Sequence, residues 1–217
     1  MKKAIKIALM ILLISSMVFV LTGCGDQEEK TTKEKSESIK EEEKEQDFSM
    51  GEWKNDVYTN DFLGLKFNLP DGWTYLSDKE LASQFNNGLE LLNEDQKERV
   101  EKALESTGVY YLQAKEPINN NNVIVFTEKI PEGISEEYYL QQVSNQLAVV
   151  ESVTYNIGEI KEEKISNKEY TTLELEIEDY GILQKHYIYI KGDYVVGIII
   201  TSATGEEVFD EVIGKFE

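Results

Sequence analysis

From residue 155 to residue 201 the chain is a succession of β-rich runs separated by turn-forming residues, and this constrains the fold more than any other feature. Tyr155 to Ile157, Ile160 to Ile165, Tyr170 to Glu178, Leu183 to Lys191 and Tyr194 to Thr201 read as strands, with turn signals at Gly158, Asn167, Gly181 and Gly192-Asp193. Parallel neighbours would need crossover connections of about a dozen residues or more, and no connection here is that long. The expectation is therefore an antiparallel meander. Within it Val195-Val196-Gly197-Ile198-Ile199-Ile200 is continuously apolar, as suits a central strand covered on both faces.

The other elements supply what would cover it. Tyr58 and the alternating stretch Leu63 to Leu69 read as early strands, followed by a Pro70-Asp71-Gly72 turn, Trp73 and Tyr75. Ser77 and Glu80 have capping-box spacing ahead of an apolar stripe at Leu81, Phe85, Leu89 and Leu92, and a second helical segment runs from Glu94 to Ser106. Val109 to Ala114 and Val123 to Thr127 form a hairpin pattern. Ser135 caps a helix that carries Tyr139, Val143, Leu147 and Val150 on one face. Thr204 and Glu207 give another capping box before Val208, Phe209, Val212, Ile213 and Phe216. Strands, helices, hairpin, helix, meander and helix together predict an α+β domain: a mainly antiparallel β-sheet flanked by helices on both faces, a three-layer α/β/α sandwich.

One local run carries a resemblance. Tyr58-Thr-Asn-Asp-Phe-Leu-Gly-Leu-Lys-Phe-Asn-Leu-Pro-Asp-Gly-Trp73 and the element order after it resemble the PsbP/Mog-like α/β/α sandwich family over about residues 53 to 217. The signature, a strand ending in Pro-x-Gly-Trp, is moderately specific. Family members serve as extrinsic subunits of photosynthetic complexes, partners of small GTPases or bacterial lipoproteins, so the resemblance implies accessory binding and no shared reaction. The segment Asn86 to Ser106 is longer than the family's usual helix, so no partner surface there carries over.

The N-terminus reads as an address. Met-Lys-Lys-Ala-Ile-Lys is a positive opening, and Ile7 to Leu21 is an apolar run broken only by Ser15 and Ser16, shorter than the roughly 20 residues of a spanning helix. Leu21-Thr22-Gly23-Cys24 matches the lipobox of bacterial lipoproteins, which implies cleavage after residue 23 and diacylglyceryl attachment at Cys24. Two acyl chains give stable anchoring where one gives only marginal binding. Residues 1–23 are thus expected to be a signal peptide and Cys24 the lipidation site. Residues 24–47 hold ten acidic and five basic residues with Ile39 as the one large apolar side chain, a composition that favours a disordered tether. Random-coil scaling gives it an average span of roughly 25 to 30 Å. Residues 48–217 are left for a single domain, on the extracytoplasmic face of a cell membrane.

Charge narrows the partners. The chain has 22 basic and 42 acidic residues, a formal net charge of −20, and loss of Lys2, Lys3 and Lys6 with the signal leaves 19 basic residues against 42 acidic ones, or −23. Such a surface repels phosphate backbones and anionic headgroups, so no nucleic-acid partner is expected and membrane attachment falls to the lipid. The expected partner is an envelope protein or component. Cys24 is the sole cysteine, which excludes an intrachain disulfide and a thiolate nucleophile in the folded domain.

No residue pattern assigns a catalytic site, a metal site or a cofactor. The lone histidine, His186, sits in a strand without a Gly-x-Ser-x-Gly elbow anywhere in the chain, and a strand histidine on a polar face is the commoner arrangement. Glu174, Glu176 and Glu178 alternate with Leu173, Leu175 and Ile177, and so are expected on one face. Stacked carboxylates can hold a hard cation, yet they more often form a solvated face. Tyr110-Tyr111, Tyr138-Tyr139 and Tyr187/Tyr189 are near pairs that suit either an interaction patch or, more commonly, core. Three functional readings follow: a non-catalytic binding or accessory module, an envelope hydrolase using His186 or paired acids, and weak divalent-cation binding.

Overall fold

The computed structural model describes residues 50–77, 80, 108–148, 153–165 and 168–217. The signal peptide, Cys24, the 24–47 tether, Phe48, the helical segments expected within 81–106, Val150 and Asn167 lie outside them. Among the described residues no helix is long and apolar enough to cross a membrane.

Three short strands, β1 (Glu52–Lys54), β2 (Val57–Asn60) and β3 (Leu65–Asn68), form a small antiparallel sheet in the order β1-β2-β3. The large sheet takes β4 (Thr74–Tyr75), β5 (Gly108–Lys115), β6 (Asn122–Lys129), β7 (Tyr155–Ile165), β8 (Lys168–Ile177), β9 (Ile182–Lys191) and β10 (Tyr194–Ser202). Their order is β4-β5-β6-β10-β9-β8-β7, and every pairing is antiparallel. β10 is the fourth of the seven, and Val195 through Ser202 are all buried. The apolar run predicted to be central is central.

Side chains along β10 alternate between two apolar clusters, as the two-residue repeat of a strand requires. Val196, Ile198 and Ile200 join one with Tyr187, Tyr189, the small sheet's Tyr58, Leu65 and Phe67, and the terminal helix α2 (Glu207–Ile213). Val195 and Ile199 join the other, with Phe126, Leu173, Ile188 and the helix α1 (Glu136–Leu147). The stacked rings of Trp53 and Tyr75, 4.3 Å apart, tie the small sheet to β4.

Caps explain one helix and correct another. Ser135 accepts a hydrogen bond from Tyr138 N at 3.2 Å, and Tyr139, Leu140, Val143 and Leu147 fill the core face of α1. Ser135→Ala should cost about 1 kcal/mol of stability, read as a lower urea midpoint with an unchanged slope. Ser77 and Glu80 also cap as expected, Glu80 N donating to Ser77 Oγ and Ser77 N to Glu80 Oε2. The box expected from Thr204 and Glu207 is not made. The residue that caps α2 is Glu206, with no side-chain hydrogen bond, because Thr204 Oγ1 accepts from the Asn121 amide at 3.1 Å instead.

Gly158 is the second correction. It does not turn the chain: Tyr155–Ile165 is one strand, and its register against β8 shifts between Ile157 and Ile160. Glycine here marks a β-bulge, its other use in a strand. A similar shift between Tyr110 and Leu112 lets Tyr111 and Leu112 enter the same cluster.

Candidate ligand-binding cleft

β8 and β9 pair in a register that sets Thr171 opposite Ile188 and Leu173 opposite His186. Alternation then puts Lys168 and Tyr170 on the face that carries Tyr187 and Tyr189. The rings of Tyr170 and Tyr189 meet edge-on at 5.6 Å, and Lys168 Nζ lies over the Tyr189 ring, 2.9 Å from its centroid. A cleft of about 240 Å³ opens beside them, lined by Gly64, Leu65, Ile165, Lys168, Tyr170, Phe216 and Glu217. Phe216 arrives there because it bridges to Phe67 of β3.

The electrostatics of the cleft are unusual for so acidic a chain. Burial, helped by the nearby positive charge of Lys191, pushes the Lys168 amine down to about 8. Among the described residues no carboxylate is in ion-pair range of it. Glu217 does not serve, since its two carboxylate oxygens accept from Lys66 and Asn68, each at 2.8 Å. Lys191 bonds the Phe62 carbonyl and lies over the Phe62 ring. Burial also holds the Tyr170 hydroxyl up at about 12 and the Tyr189 hydroxyl higher still, so both remain neutral. What results is a half-buried cation over the Tyr189 ring, beside a cleft whose apolar walls are Leu65, Ile165 and Phe216.

The residues singled out in the sequence go elsewhere. His186 is buried on the other face of β9, where its Nε2 meets Gln184 Oε1 at 3.2 Å, and burial pulls its pKa down to about 4. The expectation of a polar strand face fails for it, since Leu173 and Ile199 are its cross-strand neighbours. Glu174 and Glu176 share a face, but Glu178 leaves it by opening a 3₁₀ turn, Glu178–Tyr180. Glu174 and Glu163 both bind Lys185 Nζ, at 2.7 and 2.8 Å. Burial alone would lower the Lys185 amine; its hydrogen bonds to the two carboxylates override that and hold it above the ordinary lysine value. Glu174, Glu176 and Glu206 line a shallower cleft of about 180 Å³, and among the described residues no three His, Cys, Asp or Glu side chains are placed to hold a metal ion. Of the tyrosine pairs, Tyr111, Tyr139, Tyr187 and Tyr189 are core and Tyr138 is exposed.

Two groups escaped sequence reasoning. Glu128, in a run that reads as a strand end, is buried, accepts a hydrogen bond from Tyr139 Oη at 2.8 Å, and is pushed up to about 7 by burial against the lowering effect of that bond. Lys168 reads as part of a polar turn. Its setting depends on register: the hairpin turns through Glu178–Tyr180, so residues whose numbers sum to 359 lie opposite one another, Glu174 facing Lys185 and Lys168 falling toward Lys191, whereas a turn centred on the Gly181 signal would pair different residues.

No protein-family model matches the chain, and no curated protein matches it. Among solved structures it is similar to the solution structure of cyanobacterial PsbP (CyanoP) from Synechocystis sp. PCC 6803, at 14% identity and a TM-score of 0.45, over 74% of this chain and 90% of that one. It is also similar to a crystal structure from Bacteroides thetaiotaomicron VPI-5482, at 14% identity and a TM-score of 0.35, over 70% of this chain and 44% of that one.

Proposed function

We propose that the chain is a membrane-anchored lipoprotein acting as a non-catalytic binding or accessory module for an envelope component on the extracytoplasmic face. The observation that carries the binding part is the Lys168 cleft, where a half-buried amine lies among apolar residues without a carboxylate partner among those described. Such a group is suited to meeting an external charge. Anchoring is supported by Leu21-Thr22-Gly23-Cys24 after the apolar run, and by a charge of −20 that disfavours attachment through a basic patch. The finer architecture belongs to the same reading: a PsbP/Mog-like three-layer sandwich, supported by the run Tyr58 to Trp73 and by the two clusters between which β10 alternates, each with its own helix.

In the native host, the chain should incorporate labelled palmitate and sediment with membranes after salt and carbonate washes, while Cys24→Ala should be unlabelled and soluble. A Cys24→Ala form that stays on washed membranes refutes the anchor. In-cell crosslinking should recover the same envelope partner from His186→Gln as from the parent chain. Loss of that partner together with loss of a hydrolytic activity would favour the enzyme reading.

A further inference from the structure

We propose that the cleft beside Lys168 binds a small monocarboxylate with an apolar body, its carboxylate meeting the Lys168 amine and its body lying against Leu65, Ile165 and Phe216. This rests on the binding-module reading and names its ligand chemistry. Removing an amine from water without a counter-ion is costly, and a ring face compensates only in part. An incoming carboxylate completes the pair. Leu65, Ile165 and Phe216 are apolar, Tyr170 adds a ring with a neutral hydroxyl, and the Glu217 carboxylate is held by Lys66 and Asn68, so an apolar ligand body has walls to lie against.

Size and charge narrow the class. Pockets for drug-sized ligands run from about 300 to 1,000 Å³, so a cleft of about 240 Å³ fits a short acid. Phosphate sites commonly use arginine forks or helix N-termini, and the lining residues include neither. A net charge of −20 adds repulsion that weighs more heavily on a dianion than on a monoanion.

The full chain in detergent micelles, titrated calorimetrically at pH 7 and constant ionic strength with blank micelles subtracted, decides the matter. Hexanoate should bind saturably and 1-hexanol and inorganic phosphate should not. Lys168→Met should weaken hexanoate by about tenfold or more, the loss of about 1.4 kcal/mol expected for one charged contact. Lys168→Arg should retain most of the binding, and Lys54→Met, on the exposed strand β1, should leave it unchanged. Melting temperatures of all variants show whether the fold is intact. The inference is overturned if hexanoate does not saturate, if hexanol or phosphate binds as well, or if a folded Lys168→Met binds like the parent. Any of these results alongside an intact crosslinked partner leaves the binding-module reading standing.

Discussion

Glu128→Gln should raise stability at pH 8 by about 3 kcal/mol while changing little at pH 4, the reverse of what losing a carboxylate usually does. Glu128 titrates near 7 in the folded chain and near 4.3 when unfolded. Unfolding between those values therefore releases a proton, and stability falls as pH rises through that window by up to about 1.4 kcal/mol per unit. Gln keeps an oxygen for the Tyr139 hydroxyl and carries no charge to desolvate. His186 has the opposite sign. It titrates near 4 when folded and near 6.5 when unfolded, so unfolding takes up a proton and stability is lost as pH falls from about 6.5 to 4. The two slopes nearly cancel between about pH 4.5 and 6.5. Glu128→Gln should uncover the His186 slope, His186→Gln the Glu128 slope, and the double variant should be nearly flat again. Urea unfolding at half-unit pH steps, taken as the difference from the parent chain so that exposed carboxylates drop out, tests this. Parallel curves for Glu128→Gln and parent would refute it.

Gly197→Ala should destabilise by about 2 to 3 kcal/mol, although glycine inside a strand is usually the weaker residue. Gly197 sits opposite Phe126 in the central strand, and the Phe126 ring occupies the space a Cβ would take. Phe126 is buried in the same close-packed cluster as Ile199 and the core face of α1, so a shift of its ring has to be absorbed by that cluster. Combining Gly197→Ala with Phe126→Leu should recover part of the loss, giving a coupling of about 1 kcal/mol or more in a double-mutant cycle. Strict additivity would show that the strain arises elsewhere.

The meander was legible because period-two alternation and short turns are local properties, and β8 to β10 follow them closely. Gly158 was misread because glycine serves turns and bulges alike, and only the partner strand decides which. The Thr204–Glu207 box failed through a contact with Asn121, 83 residues away, which no local pattern encodes. The same holds for the polar groups. Glu128 and Lys168 look solvent-facing in sequence and acquire their environments from α1 and β9, and the pairing of Glu174 with Lys185 follows only once the turn at Glu178–Tyr180 has set the hairpin register.

The bond between the small sheet and the end of the chain sets an order of events. Lys66 N donates to Glu217 O at 3.1 Å, Glu217 N to Lys66 O at 2.9 Å, and Asn68 N to Lys215 O at 3.0 Å. A growing polypeptide therefore leaves this edge of β3 unpaired, and Phe67 without the Phe216 ring 4.5 Å away, until residues 215–217 have been made. Closing so distant a contact places folding among the slow, non-local cases, on a scale of about milliseconds to seconds. The edge of the small sheet thus receives its last backbone partner from the final residues to be made, and the domain locks only then.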